Sequence, residues 1–187
     1  NVFCVCLVGY TNAGKSRLMN LLTGAEAYVA DQLFATLETK TRRWNLDGGQ
    51  TVLLSDTVGF VRDLPHHLVA SFRATLEETI HADLLIQVAD ASHERVDEEI
   101  RAVNNVLEEL GCDRNRSLLV LNKIDKIIDP TVHTVLKQQF PQAMFVSAIT
   151  GDGAAELAEA VRERASGYPV RVKLHANYRN GKLMHYL

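Results

Sequence analysis

Short apolar runs rich in β-branched residues alternate along the chain with longer segments whose apolar positions recur every three or four residues. The runs at 3–8, 42–46, 51–55, 84–89, 118–121 and 143–146 predict six strands. The segments 15–22, 66–80, 95–110, 130–140 and 154–165 predict helices. Leu68, Phe72, Leu76 and Ile80 share one face of the second helix. Val96, Ile100, Val103, Leu107 and Leu110 share one face of the third, with Gly111 placed to stop it. Asp129-Pro130 supplies an N-cap followed by a proline in the first turn. Asp47-Gly48-Gly49, between two strand runs, predicts a hairpin turn. This alternation predicts an α/β fold: a mostly parallel six-stranded sheet, one antiparallel edge strand from the hairpin, and helices on both faces.

Length and composition narrow the class. The 187 residues allow one domain with a small appendage. Hydrophobic residues at 47% and charged residues at 23% exclude disorder, collagen and coiled coil as the main class. No apolar run approaches the ~18–20 residues that span a bilayer, so stable membrane insertion is not expected. Cys4, Cys6 and Cys112 are too few and too scattered for a disulfide framework, which points to a reducing, cytoplasmic setting. Cys4 and Cys6 alternate in an apolar run and read as strand residues rather than a metal site. The chain begins at Asn1 and enters an apolar run at once, without a signal-peptide pattern, and reads as a piece of a longer protein.

In a parallel α/β sheet, ligands bind beyond the carboxyl ends of the strands, and the informative residues lie there. Gly9-Tyr10-Thr11-Asn12-Ala13-Gly14-Lys15-Ser16 matches G-x-x-x-x-G-K-[ST], after a strand and opening a helix. The two glycines let backbone N–H groups converge on phosphate oxygens, and the helix N-terminus adds positive potential. Lys15 is placed to reach the β- and γ-phosphates, and the Ser16 hydroxyl to ligate Mg²⁺.

Asp56-Thr57-Val58-Gly59 follows the third strand. An Asp there holds Mg²⁺, usually through water, and a glycine N–H meets a γ-phosphate with no side chain in the way. The polar stretch 31–41 between the two motifs contains Thr36, Thr39 and Thr41. One of them could supply a hydroxyl to Mg²⁺ when a γ-phosphate is present, and the pattern does not choose among them.

Asn122-Lys123-Ile124-Asp125 follows the fifth strand. A carboxylate at Asp125 can accept from both N1–H and the exocyclic amine of guanine, a donor pair adenine lacks. Asn122 is placed to bond N7 and to tie neighbouring loops, and the Lys123 stem to lie along the base. Ser147-Ala148-Ile149 follows the last strand, where the Ala148 N–H could meet guanine O6. Lys15 and Gly59 are the residues so far expected at the reacting phosphate.

Taken together, 9–16, Asp31-Gln32-Leu33-Phe34-Ala35-Thr36-Leu37, the stretch Asp56-Thr57-Val58-Gly59-Phe60-Val61-Arg62-Asp63-Leu64-Pro65, and 122–125 resemble the translation-factor class of P-loop GTPases, and the HflX family in particular. The similarity runs from about residue 3 to 165. It implies a GTP-hydrolysing domain over 1–165 and the start of a small basic C-terminal domain over 166–187, with an N-terminal domain missing. It selects Thr36 as the switch threonine on Mg²⁺ and as a third residue at the reaction, and places Phe34, Ala35, Leu37 and Glu38 at the nucleotide. Glu38-Thr39-Lys40 departs from the Asp-Pro-Thr-like run expected there. The implied partner is the large ribosomal subunit with its rRNA, the implied role the splitting of stalled or stressed ribosomes, and the implied state a monomer. The alternative is a guanine-nucleotide-regulated binding module that docks a protein or a membrane, with incidental turnover.

Ras-like enzymes place a Gln after D-x-x-G to orient the attacking water. Phe60 stands there and cannot do so, which implies slow intrinsic hydrolysis completed by a partner. Asn12 reads either as a holder of K⁺ beside the phosphates or as a plain loop residue. Asp90 and Ser92 read as caps of the following helix, with a nucleotide contact as the alternative; His66 and His67 as exposed first-turn residues rather than catalytic bases; Arg42 and Arg43 as a solvated edge, with a contact to RNA or phosphate as the alternative; and Arg62 and Asp63 as partner contacts. From residue 162 onward, Arg162, Arg164, Arg171, Lys173, Arg179 and Lys182 face one acid, Glu163. The net charge of -3 therefore conceals a basic tail, either a solvated hairpin or a patch for rRNA.

Overall fold

The computed structural model describes residues 2–24, 39–57, 59 and 79–167. Six strands run β1 (Cys4–Gly9), β2 (Lys40–Asn45), β3 (Thr51–Asp56), β4 (Leu84–Asp90), β5 (Ser117–Asn122) and β6 (Met144–Phe145). The helices are α1 (Lys15–Thr23), α2 (Val96–Glu109), α3 (Pro130–Gln139) and α4 (Ala154–Ala165). Of the helix expected at 66–80, residues 66–78 lie outside the described residues, and 79–81 are helical.

The sheet order is β2-β3-β1-β4-β5-β6. β2 and β3 pair antiparallel, and every other pairing is parallel. Central strands of such a sheet are buried on both faces and read as continuous apolar runs, as β1 and β4 do. On one face Leu7, Leu54, Ile86 and Val120 pack in a cluster with Leu18 and Met19 of α1 and Leu157 and Val161 of α4. On the other, Cys6, Val8 and Leu85 meet Val103 and Leu107 of α2, while Ala89 and Leu121 join Ile100 and Leu136. Each large side chain buried this way contributes about 1.5–3 kcal/mol. Trp44 of β2 is buried in the first cluster, so the edge hairpin is fastened to the core by its own strand.

Several boundaries shift for local reasons. β2 starts at Lys40, earlier than its apolar pattern, because the exposed Lys40 and Thr41 pair in the ladder without burying a side chain. The 47–49 connection is a turn with Gly48 and Gly49 both at φ 79, closed by Leu46 N–H to the Gln50 carbonyl at 2.8 Å. Asp129 caps α3 as expected, accepting from Thr131 N–H at 2.8 Å. Asp90 and Ser92 do not cap α2. Arg95 holds that position with no side-chain bond, and the Asp90 carboxylate is engaged elsewhere. Among the described residues no helix is long and apolar enough to cross a membrane.

The register brings the chemistry together. Asp56 lies opposite Leu7 and Asp90 opposite Asn122, so the carboxyl ends of β1, β3, β4 and β5 form one rim.

Candidate functional site: a nucleotide-binding rim

The loop from β1 to α1 depends on its glycines. Gly9 has φ 147, and a Cβ there would run into the Val88 carbonyl of β4. Gly14, at φ 92, would collide with the Asn122 amide. Asn12 takes the left-handed region at φ 63. No side chain caps α1 and no acid lies in its first turn, so its positive end is not neutralised from within. Lys15 is 6% exposed. Its Nζ donates to the carbonyls of Gly9 at 3.2 Å and Tyr10 at 3.0 Å. Burial lowers its pKa to about 8, against the opposing pull of the Asp56 carboxylate.

Ser16 Oγ donates to Asp56 Oδ2 at 2.5 Å, and Asp56 is fully buried. Thr57 Oγ1 donates to the Leu7 carbonyl at 2.7 Å, which fixes the chain just before Gly59. A Cβ on Gly59 would stand 2.8 Å from both Lys15 Nζ and Thr11 Cα. Gly59 thus lies directly against the phosphate loop, as its motif position requires.

At the other side of the rim, Asn122 is buried and both ends of its amide are engaged. Nδ2 donates to the Ala13 carbonyl at 2.9 Å, and Oδ1 accepts from Ala148 N–H at 3.0 Å. The tie between loops is therefore present, and the Ala148 N–H expected at guanine O6 is turned to Asn122. Asp125 is exposed, and its Oδ1 accepts from Ser147 Oγ at 2.5 Å. Ser147 Oγ in turn accepts from Ile149 and Thr150 N–H at 3.3 and 3.1 Å, which shapes the last loop. Lys123 Nζ donates to the Asn12 carbonyl at 2.6 Å and to Asp90 Oδ2 at 2.7 Å.

The structure thus gathers Gly9, Tyr10, Thr11, Asn12, Ala13, Gly14, Lys15, Ser16, Asp56, Thr57, Gly59, Asn122, Lys123, Ile124, Asp125, Ser147, Ala148 and Ile149 in the loops of one rim. Phe34, Ala35, Thr36, Leu37, Glu38, Val58, Phe60, Arg62, Asp63, His66 and His67 lie outside the described residues, as do Arg171, Lys173, Arg179 and Lys182. Arg42 is half-buried rather than simply solvated, donating to Asn20 Oδ1 at 3.1 Å. Thr57 as an anchor on β1 was not anticipated, nor was the Asp90–Lys123 pair. A polar residue ending each of two adjacent strands was the available signal for the pair.

A phosphate loop, a Ser–Asp pair beside it, and an Asn-Lys-x-Asp loop tied to it by hydrogen bonds define a P-loop GTPase domain. A family model described as "50S ribosome-binding GTPase" matches residues 4–123, and the chain belongs to that family. It is similar to the GTPase HflX of Escherichia coli, 50% identical over 96% of this chain and 42% of the relative. Against the GTPase HflX of Chlamydia pneumoniae it is 44% identical over 92% of this chain and 36% of the relative. The chain therefore spans less than half the length of these curated relatives. Among solved structures it resembles a GTP-binding protein from Sulfolobus solfataricus in complex with GDP. That match has a TM-score of 0.68 and 28% identity, over 88% of this chain and 52% of the other. The G domain of the Thermotoga maritima FeoB iron transporter is also similar, at a TM-score of 0.61 and 28% identity over 88% of this chain and 99% of that one.

Proposed function

We propose that this chain is the nucleotide-operated switch of a ribosome-associated enzyme that hydrolyses GTP with Mg²⁺. The reading extends to binding the large subunit and its rRNA, and to splitting stalled or stressed ribosomes in the cytoplasm. The observation that carries it is the Ser16 Oγ–Asp56 Oδ2 contact of 2.5 Å beside Lys15, on the rim that also holds Asn122 and Asp125. A hydroxyl and a carboxylate side by side are hard oxygen donors of the kind Mg²⁺ takes. Ser16 would ligate the ion directly, Asp56 through water, and Thr36 would complete the set. The ion supplies charge neutralisation at the β- and γ-phosphates.

The chain's own groups do the rest. Lys15 is held protonated below about pH 8 and leaves its carbonyl partners for phosphate oxygens. The Gly59 N–H approaches the γ-phosphate because no side chain intervenes. Asp125 reads the guanine edge. Phe60 offers nothing to the attacking water, so turnover waits for a partner, and an arginine supplied by a partner is typically worth about 10³–10⁵ in rate. Asn12 would hold K⁺ in the role an arginine otherwise fills. The end of α4 at Ala165 and Gly167 at φ 71 support a boundary near 165, with 166–187 opening a further small domain.

Hydrolysis measured with and without ribosomes, on this domain and on a longer chain, tests the reading. Stimulation that needs Lys15 and Thr36 supports it. Fast hydrolysis unchanged by ribosomes overturns the partner-completed site, and slow hydrolysis that ribosomes neither bind nor stimulate overturns the ribosome reading in favour of a nucleotide-regulated docking module. Replacing K⁺ by Na⁺ tests the monovalent ion in the same assay.

A further inference from the structure

We propose that Asp90 is a positioning residue for nucleotide binding: it clamps the Lys123 ammonium onto the main chain of the phosphate loop at Asn12, joining base recognition and phosphate binding into one unit. The inference rests on the guanine-nucleotide reading above.

Three sets of observations carry it. The Lys123 ammonium bridges Asp90 Oδ2 at 2.7 Å and the Asn12 carbonyl at 2.6 Å. The two charged side chains are only 14% and 16% exposed, so solvent and salt screen the pair less than a surface pair. Asp90 itself is fixed. Its Oδ1 accepts from Ser92 N–H at 3.0 Å and Ser92 Oγ at 2.6 Å, and the next residue, Ala91, donates to the Asn122 carbonyl at 2.8 Å. Finally, Asn12 and Lys123 are the two non-glycine residues with positive φ among the described residues, at 63 and 64. Such conformations cost free energy and persist where their surroundings enforce them. The bridge joins these two backbones.

Burial opposes ionisation of Asp90, but the hydrogen bonds from Lys123 and Ser92 outweigh it and hold the carboxyl below its usual range. The Asp90 carboxylate is therefore charged at neutral pH. The α2 N-terminus makes no use of this carboxylate, which leaves Lys123 as its remaining partner beyond Ser92.

The experiment measures release of fluorescent GDP from wild type, Asp90→Ala, Asp90→Asn, Lys123→Ala and the Asp90→Ala/Lys123→Ala double variant. Removing a charged hydrogen-bond partner is expected to speed release about tenfold in Asp90→Ala. In the Lys123→Ala background the same change should add less than about twofold, because the partner is already gone. In steady state the loss should appear in KM for GTP rather than in kcat. Asp90→Asn keeps the volume and the Ser92 bonds, and it replaces Asp90→Ala in the cycle should that variant not fold. Release within twofold of wild type, or effects that multiply in the double variant, overturns the proposal. Wild-type protein that binds no guanine nucleotide overturns the functional reading as well, whereas tight wild-type binding with unchanged Asp90 variants overturns the clamp alone.

Discussion

The side-chain amide of Asn122 donates to the Ala13 carbonyl at 2.9 Å, joining two residues 109 positions apart in sequence. The same side chain accepts from Ala148 N–H at 3.0 Å. Truncation strands a buried carbonyl and a buried N–H, each worth about 1–3 kcal/mol. Asn122→Ala should therefore destabilise the domain by about 2–6 kcal/mol in denaturant titration, even without nucleotide. A loss confined to nucleotide binding would contradict this.

Lys15 should give the domain an alkaline signature. Unfolded, it holds its proton up to 10.5; folded, only up to about 8. Between those values the unfolded chain binds more protons, so this group's contribution makes the fold more stable as pH rises through the window. Below pH 8 it is charged in both states, and the burial cost, on the order of 3 kcal/mol, is fully present. Nucleotide acts in the opposite sense, since phosphates favour the ammonium. GDP binding should take up a proton above pH 8 and weaken from pH 8 towards 10.5. Calorimetry in buffers of different ionisation enthalpy checks this, and Lys15→Met should abolish the uptake.

Removing the Ser16 hydroxyl should uncouple hydrolysis from Mg²⁺. A bound metal ion supplies several kcal/mol of transition-state stabilisation, so Ser16→Ala should lose about 100-fold in kcat at saturating Mg²⁺. The Mg²⁺ titration curve should flatten. A curve like that of wild type would remove Ser16 from the metal site.

Gly59→Ala places a methyl 2.8 Å from Lys15 Nζ and from Thr11 Cα. The phosphate loop must shift, and misplacement of about 1 Å can cost about 10²-fold in rate. GTP hydrolysis should fall by about that factor, and GDP affinity by less, because GDP loses only the loop's grip on the β-phosphate whereas hydrolysis also loses the alignment of the γ-phosphate. Paired rate and binding measurements separate the two.

The strands were legible because central strands buried on both faces are continuous apolar runs, as in Leu84–Asp90. β6 was read as four residues and pairs over two: Ala143 turns its N–H back to the Phe140 carbonyl at 3.0 Å, and the Val146 N–H bond to the Leu121 carbonyl at 2.9 Å is the last of the ladder. The phosphate loop and Asn122–Asp125 were legible because their chemistry is written in consecutive residues. The Asp90–Lys123–Asn12 bridge was not, since it joins residues 33 and 111 positions apart and exists only once β4 and β5 lie side by side. Asp90 was misread as a helix cap because a polar residue between strand and helix looks the same in sequence whichever neighbour it serves.

Trp44 is the single tryptophan of the sequence, buried in β2 within the cluster that holds Leu18 and Met19 of α1. The sequence therefore carries one indole, which excitation at the red edge of protein absorption addresses apart from the tyrosines, and it sits in the cluster beneath the helix that opens at the phosphate loop. Its emission reports the packing of the edge hairpin within that cluster, with no second indole to average against. Loosening of the scaffold beneath the nucleotide can be followed optically in the unlabelled protein.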